Sequence, residues 1–525
     1  MLLALVLAHP AYASQLSDLQ VQLDDHVRCR TPEMRMRRWE ESTQGPPPPD
    51  ASMTRPEEAG YVDSATYPIR IHYRKSADAE RAETVVLPIA EDVWTAEIEE
   101  MGWPTPPTDY GVGGSDDYDI YLTNEETAGG AWTYTTYDTG IEPDAWPDDD
   151  LFSNSSYIAI DDDESWIPDD SMPGFVSHEF NHALQYGMDA NEYTLFAWES
   201  TAEAIAELYS GNGRDFKNEI SDFQSHPSLS ILFDSYTRQV TNYGNDTYYY
   251  EYGGWIFGAF IEQGIGTNDG STLAQVWRDL AAGGRADEPD YVDALGMIGG
   301  ADYPDAGALF LEFTEWRLAV ATDDDGAHYS DGSTWPSSAE PGLEGTVNLS
   351  EVDGTELAPE SPPYYFGDSV WEITVDEASE GALHIEVGGD DTTNWGVVAI
   401  GYDAAGGTTF ARAQGVNGAR VAADLPLTGV TRVLLAVANV GPSGLDPEDQ
   451  SIKATNDFTV ALSVEQSDTA GEDTAGEKDK GGVACGCATG GPAGGLGIGV
   501  LVGAALVRRR ADARRDQRTV KSLAR

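Results

Sequence analysis

The chain has 525 residues, of which 40% are hydrophobic, so it is long enough to form two or three globular domains with ordinary cores. Its 91 acidic residues outnumber its 30 basic residues and give a formal net charge of −61 at pH 7. Because contacts with phosphate groups need a basic surface, this charge argues against a protein that binds nucleic acid.

The first 13 residues are predicted to be a signal peptide. This apolar run ends in Ala11-Tyr-Ala13, the small-x-small pattern of a signal-peptidase site, so the exported chain would begin near Ser14. The run is short and lacks a basic start, and a buried N-terminal helix is the alternative. Only three cysteines occur, and all lie near the ends of the chain, outside residues 61–345: Cys29, Cys485 and Cys487.

Residues 14–60 are predicted to be a detachable pro-segment. A locally basic cluster from Arg28 to Arg38 is followed by the polyproline stretch from Gln44 to Pro49, which forms a stiff linker. From Tyr67 the sequence alternates like a strand, so a folded domain is predicted to begin shortly before it, at residue 61.

An α+β pattern continues through residues 61–345. Pro88 to Met101 has apolar residues at helical spacing. The stretch from Ala131 to Tyr137 is the best candidate for an edge strand on which a peptide could bind by strand addition, although an ordinary sheet strand fits the pattern equally well. The predicted strands are Tyr67 to Tyr73, Tyr118 to Thr123, Ala131 to Tyr137 and Ser156 to Asp161.

Acidic clusters between these strands could bind calcium through carboxylate oxygens. None of them matches a complete calcium-loop motif, so solvated loops are the favoured interpretation. The clusters are Asp116-Asp117, Asp148 to Asp150 and Asp161 to Glu164.

The stretch from Pro173 to Gly187 is predicted to be a metal-binding helix. Its proline suits a first helical turn, and Gly187 could end the helix in a left-handed conformation. His178 and His182 are four residues apart, so both imidazoles leave the same face and can meet one tetrahedral zinc ion. Glu179 projects beside them as the general base for the attacking water. The alternative is an amphipathic helix whose histidines are satisfied by hydrogen bonds.

Thr194 to Tyr209 is predicted to be a second helix, because its apolar residues recur at helical spacing. At about 100° per residue, Glu199 lies closest to the buried face of this helix, Glu203 farther round, and Glu207 nearly opposite it. We therefore predict Glu199 as the third zinc ligand and keep Glu203 as the reserve.

The run His178-Glu-Phe-Asn-His182 followed by Trp198-Glu199-Ser-Thr-Ala202 resembles the gluzincin metallopeptidases, which pair a His-Glu-x-x-His helix with a downstream glutamate helix. The same region is similar to a group of secreted metalloproteases from myxobacteria. The resemblance implies a zincin-like fold, in which a mixed sheet precedes the active-site helix. The interval from His182 to Glu199 is slightly shorter than the commonest gluzincin spacing, which leaves the choice of third ligand open.

An aromatic run leads into an apolar helix between Tyr248 and Gly264. It resembles the Tyr-x-x-Gly motif of gluzincin aminopeptidases, whose tyrosine stabilises the oxyanion. The resemblance implies this role for Tyr250, which has the right spacing to Gly253, or for Tyr252, which fits better if the alignment is anchored on Glu262-Gln263. Packing in the core is the alternative for each tyrosine.

After further helical patterns, residues 346–466 are predicted to form an all-β sandwich. Short alternating runs separated by glycine turns are typical of that fold. No catalytic pattern occurs in these runs, so we predict an accessory domain that binds or acts as a spacer. The runs are Val370 to Val375, Ala382 to Val387, Trp395 to Tyr402, Arg432 to Val440 and Phe458 to Val464.

Residues 467–484 are predicted to be a polar linker. Residues 485–525 begin with Cys485-Gly-Cys487. An apolar stretch of about membrane-spanning length follows from Ala488 to Val507, and a basic tail ends the chain. This order resembles the C-terminal sorting signal of myxobacterial surface proteins, which implies that a processing peptidase acts near the cysteines. The segment would hold the protein in the membrane until then, with the preceding chain exported. A two-cysteine metal site is the weaker interpretation, because too few ligands are present.

Cys29 is an odd cysteine in an exported chain, and such a cysteine needs an intermolecular partner or a reactive role. Its context, Arg28 to Pro32, resembles the inhibitory cysteine loops of some metallopeptidase pro-segments, whose thiolate takes the open zinc position. An inert or intermolecularly bonded cysteine is the favoured interpretation, because the motif is short and departs from the family pattern at Arg30.

These patterns together predict an exported zinc endopeptidase that acts on a protein or peptide substrate at the cell envelope or after release from it. Its fold would be an α+β zincin-like domain, a β-sandwich and a transmembrane sorting segment. The alternative function is a surface adhesin whose protease-like domain no longer cleaves. A third possibility keeps the zinc but hydrolyses another kind of bond.

Overall fold

The computed structural model describes residues 55–465 with internal gaps, and these described residues belong to one compact unit. The predicted signal peptide, Cys29, the polar linker, Cys485-Gly-Cys487 and the apolar stretch after them lie outside the described residues. No helix in the described part is both long and apolar enough to cross a membrane. The gaps are 110, 125–130, 136–152, 166, 191, 193, 212–216, 218, 234–248, 283–288, 353, 355, 376–380, 416–417, 419 and 443–454.

A five-stranded mixed sheet occupies the first part of the described chain. Its strands are β1 (Gly60–Asp63), β2 (Ile69–Tyr73), β3 (Tyr118–Thr123), β4 (Ala131–Thr135) and β5 (Ser156–Asp161). The spatial order is β1-β2-β3-β5-β4, in which β2, β3 and β5 are parallel while β1 and β4 run antiparallel to their neighbours. The strand predicted as an edge strand, β4, is therefore at the edge of the sheet as described.

Two helices lie between β2 and β3, and the others follow the sheet as far as residue 318. They are α1 (Ala79–Arg81), α2 (Leu87–Trp94), α3 (Met172–Met188), α4 (Leu195–Ser210), α5 (Ile220–Gln224), α6 (Tyr250–Gly253), α7 (Trp255–Phe260), α8 (Ser271–Leu280), α9 (Tyr291–Gly299) and α10 (Ala306–Leu318). Short π-helical segments extend three of them, at Ala82–Val86, Thr95–Glu100 and Ile261–Ile265. The predicted mixture of helices and sheet is confirmed.

One face of the sheet is apolar and packs against helices α2 and α3. Because side chains alternate along a strand, every second residue of β2, β3 and β5 faces these helices. Helix α3 contacts both β4 and β5, so it lies across the edge of the sheet. The buried apolar residues on this face are Ile69, Ile71, Ile120, Leu122, Ile158 and Ile160.

The opposite face of the sheet carries a buried charge network. His72 Nε2 lies 2.9 Å from Asp119 Oδ1, and both residues are almost completely buried. The Arg55 guanidinium pairs with Asp109 and lies 4.1 Å from the centre of the Tyr157 ring. Because buried carboxylates need a partner, Arg55 belongs to the folded domain, which extends back beyond the predicted start at residue 61.

Helix α3 begins next to the predicted proline but continues past Gly187. The helix is capped by Asp189 in an extended conformation, with φ −150° and ψ 94°. Gly187 is not among the residues with positive φ, so the prediction that it ends the helix in a left-handed conformation is wrong. The glycine is needed for close packing instead, because a Cβ atom at this position would lie 2.7 Å from Pro107 Cδ.

We expect Gly187→Ala to destabilise the protein, although alanine usually stabilises a helix interior by up to about 1 kcal/mol relative to glycine. The added methyl would collide with a rigid proline ring, and overpacking of this kind costs about 1–3 kcal/mol. Gly296→Ala, within α9, is the matched control, since its Cβ would approach no neighbouring atom closer than 3.7 Å. Thermal unfolding compares the two variants. A melting temperature for Gly187→Ala equal to or above that of Gly296→Ala would contradict the prediction.

The predicted β-rich C-terminal region is confirmed. Its strands are β6 (Gly345–Asn348), β7 (Glu356–Leu357), β8 (Gly367–Thr374), β9 (Ala382–Gly389), β10 (Asn394–Asp403), β11 (Thr408–Gln414), β12 (Val421–Pro426), β13 (Val430–Gly441) and β14 (Phe458–Glu465), with a short helix α11 (Leu349–Val352) after β6. They form two sheets, β11-β10-β13-β8-β6 and β12-β9-β14-β7. The two sheets share a core that contains Trp371, Trp395 and Phe458.

This β region packs tightly against helix α10. Apolar side chains of β10 and β13 join the core of the helical part. Gly396 of β10 leaves space for Leu311 of α10, because a Cβ atom there would lie 2.5 Å from Leu311 Cδ1. A buried ion pair links α10 to β8, with Arg317 Nη1 3.1 Å from Asp368 Oδ2. Burial raises the pKa of Asp368 to about 6, although Arg317 acts to lower it.

Candidate metal centre

Helix α3 places His178 and His182 side by side in the protein interior. Their Nε2 atoms are 3.0 Å apart, and the two ring planes are nearly perpendicular at 89°. Both side chains are almost completely buried, with at most 4% of either exposed. The spacing of four residues on one helix therefore brings two imidazole nitrogens to one point, as the sequence predicts.

Glu199 on α4 brings a third atom that could bind a metal to the same point. Its Oε2 lies 3.3 Å from His178 Nε2, and its Oε1 lies 3.5 Å from His182 Nε2. Four-coordinate zinc holds its ligands at about 2.0–2.2 Å, which separates neighbouring ligand atoms by about 3.3 Å at a tetrahedral angle. In the part of the chain that the structure describes, these three residues are the group of histidine and carboxylate side chains that could hold a metal ion.

The Glu199 carboxylate shows why a cation fits this point. It is completely buried, yet neither of its oxygens accepts a hydrogen bond from the described residues. Burial acts to raise its pKa, but the charge of His182 and the polar contacts with both histidines outweigh burial and lower the pKa to about 2. The pKa of His182 is raised, because Glu199 outweighs the opposite effect of burial. A buried charge needs a partner, and a divalent metal ion would satisfy all three side chains together.

The other ring nitrogen of each histidine faces a polar group, and that of His182 makes a hydrogen bond. His182 Nδ1 lies 2.7 Å from Gln185 Oε1, and His178 Nδ1 lies 3.5 Å from Glu203 Oε1. Because an amide oxygen only accepts hydrogen bonds, the His182 hydrogen is on Nδ1 and the lone pair on Nε2 faces the shared point. Such partners orient metal-binding histidines in many proteins.

Glu203, the reserve ligand, is as buried as Glu199, and this differs from the sequence prediction. Every residue of α4 from Leu195 to Ala206 is buried, because other helices cover it on all sides, so a single buried face does not exist. Glu199 is buried and Glu207 is partly exposed, as the sequence predicts for both. The two buried glutamates differ in position rather than exposure, since Glu203 lies on the Nδ1 side of His178, away from the shared point.

Glu179 is held against strand β4. The Thr133 hydroxyl lies 2.8 Å from Glu179 Oε2 and 2.7 Å from its backbone oxygen, and it can donate its one hydrogen to either. Burial raises the pKa of Glu179, while His178 and His182 act to lower it. A carboxyl group with a raised pKa is suited to taking a proton and returning it near neutral pH.

The two candidate tyrosines occupy different environments. The Tyr250 hydroxyl donates a hydrogen bond of 3.0 Å to the backbone oxygen of Ser230, and its ring packs 5.1 Å from the ring of Phe223 in the core. The Tyr252 ring stacks on the ring of His178, with centroids 6.2 Å apart and planes within 17° of parallel. Of the two, Tyr252 is the one that lies beside the histidine pair.

The acidic clusters considered for calcium gain no support as a second metal site. Asp162 is buried and its two oxygens pair with Arg74 and Lys75, both at 2.8 Å, so the protein's own cations offset its charge. Asp148 to Asp150 lie outside the described residues.

Comparison with known proteins adds little to this geometry. No protein-family model matches the chain, and no curated protein matches its sequence. One similar solved structure is CorA, described as a surface-associated copper-binding protein important in copper acquisition in Methylomicrobium album BG8. The alignment covers 23% of this chain and 98% of that chain at 7% identity, with a TM-score of 0.18. A similarity this low carries no argument about fold or function.

Proposed function

We propose that the protein is a zinc-dependent endopeptidase that hydrolyses peptide bonds with water. The observation that carries this proposal is the buried group of His178, His182 and Glu199, with Glu179 on the same helix as the histidines. Two imidazoles and a carboxylate are a typical ligand set for catalytic zinc. Three protein ligands leave a fourth position for water or substrate, which distinguishes catalytic from structural zinc sites.

Each residue around the centre has a role in this reaction. When bound, zinc would act as a Lewis acid and lower the pKa of a water molecule at the open position. Glu179 takes the proton from the attacking water and returns it to the leaving nitrogen, while Thr133 holds the carboxylate in place. We assign Tyr252 as the donor to the developing oxyanion, because the Tyr250 hydroxyl is occupied by Ser230. One such donor typically contributes about 3 kcal/mol.

The surroundings of the centre suit a peptide substrate. Strand β4 ends the sheet and contacts helix α3, so a peptide bound alongside β4 would extend the sheet next to Glu179. A mixed sheet that precedes the histidine helix is also the arrangement expected of a zincin-like domain. The β-sandwich interpretation of residues 346–466 fits a domain that supports the helical part, since it packs against α10.

Export to the cell envelope remains part of this proposal. It rests on the N-terminal apolar run, the cysteine pair at Cys485 and Cys487, and the apolar stretch after it. These features predict a chain that is held in the membrane until a peptidase cleaves near the cysteines. Fractionation of cells into envelope and medium, with and without Cys485→Ser and Cys487→Ser, tests this localisation.

The test of the proposed function is metal analysis of the purified full-length chain, followed by digestion of a peptide library. We expect one zinc per chain, internal cleavage of peptides, loss of cleavage on chelation, and recovery when zinc is restored. His182→Ala should lose the metal, whereas His384→Ala, which changes a partly exposed histidine paired with Asp424 on β12, should keep it. Zinc binding without cleavage of any peptide would favour the adhesin, and cleavage of a different bond would favour the third possibility.

A further inference from the structure

A chain of hydrogen bonds connects His182 to a buried glutamate outside the metal centre. His182 Nδ1 bonds to Gln185 Oε1 at 2.7 Å, and Gln185 Nε2 donates to Asn181 Oδ1 at 3.1 Å. Asn181 Nδ2 in turn donates to Glu97 Oε2 at 3.1 Å. We call Gln185, Asn181 and Glu97 the amide relay. All of its members are completely buried.

The direction of these hydrogen bonds is set at the glutamate. Because a carboxylate oxygen accepts, Asn181 must turn its nitrogen toward Glu97 and its oxygen toward Gln185. Gln185 must then turn its nitrogen toward Asn181 and its oxygen toward His182. The histidine is left with its hydrogen on Nδ1 and its lone pair on Nε2, the form that a metal ion needs.

The relay has the same direction whether Glu97 is ionised or carries a proton on Oε1. Burial raises the pKa of Glu97 to about 8, although hydrogen bonds from Ser177 and Asn181 act to lower it. Ser177 Oγ lies 2.7 Å from the other oxygen, Oε1. A proton on Oε1 would leave Oε2 able to accept from Asn181, so this protonated form keeps the direction of the relay.

The glutamate of the relay lies in an irregular helical segment. Glu97 lies in the π-helical segment Thr95–Glu100, which follows α2 and widens the helix by one residue per turn. Segments of this kind are rare and are frequently found at functional sites. Gln185 also donates to the backbone oxygen of Trp198 at 3.2 Å, directly before the ligand Glu199, so the relay joins both ligand helices.

We propose that Glu97, Asn181 and Gln185 are positioning residues that fix the metal-binding tautomer and ring orientation of His182. This inference rests on the proposed function, since it requires a metal ion at His178, His182 and Glu199. Among the described residues, the relay bonds to a ligand residue at His182 Nδ1, which is not the nitrogen that would bind the metal. Loss of partners of this kind typically weakens metal binding about 10- to 100-fold.

The test is zinc affinity of the full-length chain, measured by competition with a chelator, for the wild type and relay variants. Gln185→Leu removes the acceptor at His182 and should weaken zinc binding about 10- to 100-fold. Glu97→Leu should weaken it in the same direction, whereas Glu97→Gln should stay close to the wild type, because an amide oxygen can still accept from Asn181. With Co²⁺ in place of zinc, the visible absorption spectrum should change in Gln185→Leu and Glu97→Leu and not in Glu97→Gln.

Ser177→Ala is the matched control, because it removes the other hydrogen bond of Glu97 and leaves the relay intact. It should lower the melting temperature of the metal-free chain without changing zinc affinity or the cobalt spectrum. If Gln185→Leu binds zinc as tightly as the wild type, with an unchanged cobalt spectrum, the relay has no positioning role. If the wild type itself binds no zinc, the proposed function is wrong and this inference is wrong with it.

Discussion

Glu179→Gln is expected to lower the rate of peptide hydrolysis by about 10²- to 10⁴-fold while leaving the metal and the fold in place. Glutamine has nearly the same shape, and its side-chain oxygen can still accept the hydrogen bond that Thr133 donates at 2.8 Å. It cannot take the proton of the attacking water. Because Glu179 is not one of the three grouped ligands, metal content should be unchanged. Initial rates on a cleaved peptide, together with metal analysis of the same sample, measure both quantities.

Glu262→Gln is the control for this experiment. Glu262 is also completely buried, but its carboxylate accepts backbone hydrogen bonds from Gly270 and Leu273 at the start of helix α8. Its neutralisation should leave the rate unchanged, so a loss in both variants would point to general damage from altered buried charge. A Glu179→Gln enzyme as fast as the wild type would show that another group takes the proton.

The histidine helix could be predicted from the sequence because its signals are local. The spacing of His178 and His182 alone places two imidazoles on one face of a helix, whatever that helix packs against. Strands β3 and β5 were predictable for a similar reason, since short apolar runs between glycine and aspartate clusters fix their bounds. Gln185 was within reach of the same reasoning, because it lies three residues after His182 on the same helix.

The remaining residues around the centre depend on contacts between distant parts of the chain. Thr133 meets Glu179 across a separation of 46 residues, and Glu97 meets Asn181 across 84 residues, so no local pattern brings either pair together. The prediction of a single buried face on α4, made from helical periodicity, was wrong. The structure buries every residue of this helix from Leu195 to Ala206. Burial from all sides removes the contrast between faces on which the prediction depended.

Glu199 and Glu203 are equally buried and differ in which histidine nitrogens they face, so their removal should weaken zinc binding to different degrees. Glu199→Ala should weaken zinc binding more than about 100-fold, because it removes a ligand and leaves only two imidazoles. Loss of a residue that merely orients a ligand costs less, about 10- to 100-fold. Glu203→Ala should weaken zinc binding by about 10- to 100-fold at most, because Glu203 faces Nδ1 of His178 at 3.5 Å and can only orient the ring. Competition with a chelator, using the full-length chain, measures both affinities.

Glutamine variants at the same two positions separate a ligand from an orienting partner. Glu203→Gln keeps an oxygen that can accept from His178 Nδ1, so zinc affinity should return close to the wild-type value. Glu199→Gln keeps the shape but removes the negative charge that offsets the cation beside both histidines, so affinity should remain low. Equal losses in the two alanine variants would mean that both carboxylates reach the metal. A larger loss in Glu203→Ala would make Glu203 the ligand and Glu199 the orienting partner, because burial alone does not distinguish them.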